Sequence, residues 1–176
     1  MPVLQYVQKR IAVRGKVRLG QRVHLGLGTT LWAPSGLTVG DDVYVGRFCS
    51  VECDGAIGNG TLIGNFVACV GRYDHDWRKL GVPMAASPWI GNADYQGAGL
   101  EDRIDVGQDV WIGHGAILLA GAHVGRGAIV AAGSVVTSHV APYAIVAGNP
   151  VRSIGERLPG SELAEHERLL RERWGV

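Results

Sequence analysis

Between Val106 and Val140 the sequence divides into six-residue steps: VGQDVW, IGHGAI, LLAGAH, VGRGAI, VAAGSV and VTSHV. The first column is Val106, Ile112, Leu118, Val124, Val130 and Val136, aliphatic throughout. The fifth is small or β-branched: Val110, Ala116, Ala122, Ala128, Ser134 and Val140. A period of six cannot be helical, because a turn of about 3.6 residues carries the aliphatic column around the axis within two repeats. It does fit very short strands ended by turns, since six is a multiple of the strand period. Glycine often follows the aliphatic residue (Gly107, Gly113, Gly125) and lets the backbone bend there. One hexapeptide cannot bury its apolar side alone, so successive coils must stack on a shared core.

The same register runs through Val39, Val45, Val51, Ile57, Ile63 and Cys69, and an earlier set offers Val13, Leu19, Leu25 and Leu31. Between the two sets it slips around Trp32–Leu37, where Pro34 and Gly36 mark a wider corner. Repeated turning accounts for 27 glycines in 176 residues, which follow no collagen-like period. A chain of this length forms one domain with a small appendage. Its charges nearly balance, 17 Lys and Arg against 16 Asp and Glu, which leaves no nucleic-acid footprint. The cysteines form no metal-type CxxC pair, and Cys49 and Cys69 fall on inward columns as small buried thiols. The N-terminal stretch lacks the apolar run of a signal peptide, and no segment approaches the ~20 apolar residues of a membrane span. A cytoplasmic protein is expected.

Three regions follow: a lead-in over residues 1–12, a repeat domain over 13–155 and a helical tail over 156–176. Residues 72–103 interrupt the repeat with no period, and their aromatic, charged, proline and glycine residues suit a packed excursion that forms a site. The column is expected to end where Pro142 breaks the pattern. In the tail, Ser161 can cap a helix, Glu162 and Glu165 follow, and Leu163, Leu170 and Trp174 share one face.

His75, inside Tyr73-Asp74-His75-Asp76-Trp77, is the first candidate for chemistry, because an imidazole is the usual base for a hydroxyl or amine nucleophile. His114, His123 and His139 sit at outward positions with no pair at a local ligand spacing, so no metal site is expected. His24 reads as an outward surface residue. Trp111 is also outward, and so large a ring needs a partner, either a neighbouring subunit or an extended ligand. Arg152, in Asn149-Pro150-Val151-Arg152, is a phosphate contact or an ordinary surface ion-pair member.

VWIGHGAILLAG, VAAGSVVT and VAGNPVR together resemble the hexapeptide-repeat acyltransferases. The nearest branch is the maltose and galactoside O-acetyltransferases, beside the xenobiotic and polysaccharide acetyltransferases. The resemblance implies an all-β fold, a left-handed parallel β-helix of about five coils, with an excursion loop and a short C-terminal α-helix. The hand comes from the resemblance and runs against the usual crossover rule. It also implies a homotrimer with acetyl-CoA between subunits and His75 as the matching general base. By position, Trp111 would line the pantetheine arm, Gly113 would join the cofactor contacts, the His114 N–H would face the thioester oxygen, Ala132 and Thr137 would border the outer arm, and Arg152 would approach the phosphates. The chain departs from the pattern at Ser138, where relatives often carry lysine, and near Gly155, where they carry arginine. The N-terminal helical segment of the maltose branch reads as absent. The acceptor asparagine of some relatives has no clear counterpart, and Glu52 or Asp54 lie nearby.

The expected activity is acetyl transfer from acetyl-CoA to a hydroxyl of a sugar or glycan precursor. Tyr73, Asp74, Trp77 and Tyr95 join Glu52 and Asp54 as acceptor contacts, with Trp89 a further flat surface in the loop. N-acetylation of an amino sugar is the near alternative. A carbonic-anhydrase-like metalloenzyme would need closely spaced zinc histidines, and a non-catalytic scaffold would need no histidine loop.

Overall fold

The computed structural model describes residues 2–175. Helix α1 (Pro2–Ala12) leads into a column of six coils. Coil one holds β1 (Val13–Leu19) and β2 (His24–Leu25); coil two, β3 (Thr30–Val39) and β4 (Tyr44–Val45). Coil three holds β5 (Ser50–Glu52), β6 (Asp54–Ile57) and β7 (Leu62–Ile63); coil four, β8 (Ala68–Val70), β9 (Arg103–Val106) and β10 (Trp111–Ile112). Coil five holds β11 (Ile117–Leu119), β12 (His123–Val124) and β13 (Ile129–Val130); coil six, β14 (Val135–Val136), β15 (His139–Val140) and β16 (Ala144–Gly148). Strand β17 (Val151–Glu156) then doubles back antiparallel on β16, and α2 (Ser161–Trp174) ends the chain.

Every other pairing is parallel and joins one coil to the next, which makes a parallel β-helix with three faces. β5, β8, β11 and β14 lie on the first face, β6, β9, β12 and β15 on the second, and β2, β4, β7, β10, β13 and β16 on the third. β1 and β3 are long enough to run across both the first and second faces. The aliphatic column packs as its period requires: Leu25, Val45, Ile63, Ile112, Val130 and Val146 stack up the third face, none more than 4% exposed. The small fifth-position residues, Ser134 included, are buried beside it. Cys49 and Cys69 are buried as their columns imply, and burial pushes both thiols up.

The corners need a left-handed residue. Arg22, Asp42, Gly60, Asp109, Gly127 and Tyr143 all turn with positive φ between the second and third faces. A non-glycine residue there costs about 1–2 kcal/mol. Between Trp32 and Leu37 the two additional residues are taken up inside β3 as an irregularity against β1, rather than in a separate corner. The carboxylate of Asp54 accepts the Ser35 and Gly36 N–H groups (2.9 and 2.7 Å) and fixes that bulge.

Four expectations need correction. There are six coils rather than five, because Pro142 does not end the column. The sixth coil shortens instead, passing from Val136 to Val140 and then to Val146 on β16. The lead-in is helical, whereas the sequence read as lacking an N-terminal helix. Its polar residues hid the reason: the Gln5 amide donates to Leu25 O and accepts from Leu25 N (both 3.2 Å), and Gln8 donates to Gly26 O (3.0 Å). Gln5 thus supplies the partner that β2 lacks at the open end of its sheet. The excursion rejoins the column at Arg103, already paired with Asp54.

The fourth concerns α2. Ser161 is its first residue and makes no cap, with Gly160 at the N-cap position. The helix docks through polar contacts rather than an apolar stripe, and Trp174 is 66% exposed. His166 Nε2 lies 2.9 Å from Asp109 Oδ2, Arg157 donates to the same oxygen (2.8 Å), and the Tyr143 hydroxyl donates to Glu167 (2.5 Å).

Candidate active site

The excursion leaves the first face after β8, and its root is held residue by residue. A β-carbon on Gly71 would meet the Asp74 carboxylate, which would have to swing aside to admit it. The Arg72 guanidinium reaches up the column to the Thr137 carbonyl. Residues 74–76 then pair with 88–90: Ile90 N–H donates to Asp74 O (2.8 Å), Asp76 N–H to Pro88 O (2.9 Å), and His75 bridges Trp89. The Ser87 hydroxyl closes the pair on Asp76 O (2.5 Å).

This places an exposed His75 with Nδ1 3.4 Å from the Ser87 carbonyl. A carbonyl only accepts, so the contact favours the tautomer with its proton on Nδ1 and a lone pair on Nε2. Asp74 is half-buried, and burial raises its carboxyl pKa; His75 opposes the shift and Glu52 adds to it.

The expected acceptor residues divide into two recesses that share Tyr73. A groove of about 380 Å³ holds Tyr73, His75, Trp77 and Tyr95. A smaller recess of about 120 Å³ behind the loop holds Tyr73, Glu52, Asp54 and Asp74. Within them the side chains play different parts. Trp77 is 59% exposed, with the Arg78 guanidinium 5.3 Å from its ring centre. Tyr95 is buried, and its hydroxyl is spent on the Ala98 and Tyr73 carbonyls (3.1 and 3.3 Å), so it braces the loop. Trp89 lies on Trp32 of β3, ring centres 5.8 Å apart. Asp54 is likewise buried and committed to its bulge. Glu52 stays exposed, accepting the Ser50 hydroxyl at 2.5 Å. Cys53 lines the same recess, its thiol pushed up to about 12 by burial and the nearby carboxylates.

The expected donor-binding residues lie elsewhere. Trp111 projects from the third face between Leu62 and Ile129, 52% exposed. Gly113 and His114 follow at the corner between the third and first faces, and Ala132 occupies the same corner one coil above. A β-carbon on Gly113 would press on the Ala132 backbone nitrogen, so the coil spacing requires glycine there. Two coils below Ala132, the Asn65 side chain accepts the Arg47 N–H (2.8 Å) from the coil beneath. Ala132 has no side-chain acceptor to offer the His114 N–H in the same way, and that N–H makes no hydrogen bond among the described residues. Thr137 lies past the opposite edge of the first face, where the excursion begins, and Arg152 is exposed on β17, with its guanidinium on the Val151 carbonyl (2.9 Å). Within one chain, therefore, His75 and Thr137 share one edge of the prism while Trp111, His114 and Ala132 share another.

His123 and His139 are rung partners on the second face, apart from His114, and His24 stacks on Tyr44 (4.6 Å). Among the described residues no group of three or more His, Cys, Asp or Glu side chains gathers as a metal site. No described helix is long and apolar enough to cross a membrane. Sequence reasoning passed over Arg72, Asn65 and the pair Phe48 and Phe66. Only the phenylalanines carried a signal, standing where other repeats have glycine.

Residues 103–138 match the family model described as bacterial transferase hexapeptide, six repeats. A chloramphenicol acetyltransferase of Agrobacterium fabrum is 44% identical over 126 residues, covering 70% of this chain and 56% of that protein. A probable macrolide acetyltransferase of Lysinibacillus sphaericus is 31% identical over 142 residues, covering 77% of this chain and 70% of that one. The chain thus spans little more than half the length of the chloramphenicol acetyltransferases it matches. Among solved structures, a hexapeptide-repeat-containing acetyltransferase of Vibrio cholerae in complex with acetyl-coenzyme A superposes with a TM-score of 0.65 at 20% identity, covering 90% of this chain and 79% of that one.

Proposed function

The chain belongs to the hexapeptide-repeat acetyltransferases, and from that premise we propose that it moves an acetyl group from acetyl-CoA to a hydroxyl of a small acceptor. The observation that carries the reading is the His75 imidazole, with Nδ1 turned to the Ser87 carbonyl and Nε2 left to accept a proton. Its 3.4 Å contact is long, as such contacts often are before substrate closes the site. In this reading Nε2 takes the acceptor's proton as its oxygen attacks. The unpaired His114 N–H donates where negative charge develops. Trp111 offers the donor's arm a flat wall, and Gly113, Ala132 and Gly133 keep the edge above it low enough for an extended chain. Thr137 and Arg152 serve the outer arm and its phosphates. Tyr73 and Trp77 line the acceptor groove beside His75, while Glu52 and Asp74 supply polar contacts behind it.

His75 and the His114 N–H stand on different edges of one prism, so a complete site takes its base from one copy and its donor track from another. A homotrimer satisfies this at all three of its interfaces. Sugars and xenobiotic alcohols are the two acceptor classes; chloramphenicol and macrolide acetyltransferases among the relatives add weight to the second. The test is CoA release from acetyl-CoA with chloramphenicol, maltose and glucosamine as acceptors, alongside CoA titration and sedimentation. Saturable transfer by a trimer is expected. Failure to bind CoA, or full activity in a monomer, overturns the reading, and transfer confined to the amine of glucosamine replaces the hydroxyl with nitrogen.

A further inference from the structure

Phe48 and Phe66 occupy positions where the corner between the third and first faces otherwise uses glycine. At the corner between the third and first faces, five successive coils turn through a left-handed residue: Gly28 (φ 74°), Phe48 (54°), Phe66 (60°), Gly115 (67°) and Gly133 (68°). Glycine enters that region freely, whereas a side chain there meets the neighbouring carbonyl, and a bulky one is a genuine outlier. Neither ring gains burial in return, at 52% and 54% exposure. They stack with centres 5.3 Å apart and planes 23° from parallel. The lower ring covers Gly28, and the upper lies 5.3 Å from the His114 imidazole. An aromatic strip therefore climbs one edge of the prism, open to solvent, and ends at His114.

Above His114 the same edge changes character. Gly115 and Gly133 border open space, and Ala132 is exposed. In the acetyl-transfer reading, on which this inference rests, the donor's arm takes these upper coils and its thioester lies at the His114 N–H. The strip below is then the surface that meets the reacting carbonyl from the other side. Its polar groups stand at the flanks rather than on the rings: the Asn65 carbonyl oxygen is spent on Arg47 N–H and the Cys49 thiol sits on the Gly64 carbonyl (3.0 Å), which leaves the Asn65 amide nitrogen and the exposed Arg47 side chain as donors beside the strip. A sugar ring asks for several hydroxyl contacts. Two stacked phenyl faces supply none, and reward a flat apolar ring.

We propose that Phe48 and Phe66 form the acceptor platform, and that the acceptor is an alcohol whose reacting hydroxyl lies beside a planar ring with few hydrogen-bonding groups. A subunit sharing the site would bring its His75 over this platform.

Phe66→Gly and Phe48→Gly test this well, because they restore the residue that other coils carry and relieve the backbone. Acetylation of a p-nitrophenyl glycoside, the matching methyl glycoside and chloramphenicol is measured with each protein. The wild type should favour the aryl glycoside over the methyl one by about tenfold or more in kcat/KM. Phe66→Gly should erase that preference through KM, with CoA affinity and oligomeric state retained. Equal use of both glycosides by an active wild type overturns the platform. So does a Phe66→Gly protein that dissociates yet keeps its aryl preference, which would mark the strip as a subunit contact only. A wild type that neither binds CoA nor acetylates any acceptor instead removes the acetyl-transfer reading, and the platform with it.

Discussion

The column and the excursion both bury side chains, but the column does it by repetition and the excursion by single contacts. Ile112 lies between Ile63 below and Val130 above, all fully buried, and the same arrangement recurs coil after coil. Nothing in it distinguishes one level from the next. In the excursion each contact is used once: Trp89 on Trp32, Tyr95 on two carbonyls, Ser87 on Asp76, His75 on Ser87. Regular coils repeat the same inward surface, and their outer edge changes only where single residues such as Phe48 and Phe66 depart from the repeat. Placed polar groups need irregular backbone. The difference separates contacts that recur at every level from contacts made once, and each variant below strikes one side of it.

The largest effect belongs to the excursion. His75→Ala should lower kcat by about 10²–10⁴-fold, the usual worth of a general base, while CoA affinity and thermal midpoint stay near wild type. A large loss of stability in His75→Ala would erase the distinction between the regions. Next comes the column: Ile112→Ala opens a cavity between two coils and should cost about 2–5 kcal/mol in urea unfolding. That loss should carry the site with it, because the loop is anchored at both ends in coil four.

A third comparison lies within the excursion. Tyr95→Phe removes a hydroxyl shared by the Ala98 and Tyr73 carbonyls, and should cost about 1 kcal/mol while loosening the segment that holds His75. Trp77→Ala removes an exposed ring and should raise acceptor KM with the thermal midpoint unchanged. Hydrogen exchange across residues 72–102 distinguishes them. Matching exchange in the two variants would mean that both aromatics serve the same purpose.

The same contrast explains what could be read from the sequence. The period of six fixed the inward column, since a one-residue slip would turn the whole set outward. It could not place Val140, because the sixth coil drops two residues where the repeat still reads as regular. Helix α1 escaped notice because its anchors are Gln5 and Gln8, polar residues whose value depends on an open strand end seen only in three dimensions. His75 was legible as the histidine of a non-repeating insertion. The separate fates of Tyr95 and Trp77, one buried and one exposed, were not, since both look alike in a stretch without periodicity. Asp54 was read as an acceptor contact because it lies near the place of the relatives' acceptor asparagine; the bulge that its carboxylate fixes through the Ser35 and Gly36 amides had no signal in the sequence.

The smallest effect tests whether α2 belongs to the column's stability or only rests against it. Tyr143 turns the last corner with φ 57° and donates its hydroxyl to Glu167 of the helix at 2.5 Å. Burial, helped by the hydrogen bond to Glu167 and its charge, pushes the phenol from 10.0 up to about 12, with Arg126 opposing. Below pH 10 the phenol is protonated in folded and unfolded chains alike, so its contribution is whole. Between 10 and about 12 the unfolded chain gives up the proton first, and stability falls as pH rises. Tyr143→Phe should lose about 1 kcal/mol at neutral pH and show a shallower alkaline decline than wild type. Amide exchange should place that decline in α2 and its corner, while the amides around Ile112 keep their protection. An equally steep decline in Tyr143→Phe would assign the alkaline weakness to another group. Early exchange throughout the column would make the helix part of its cooperative unit.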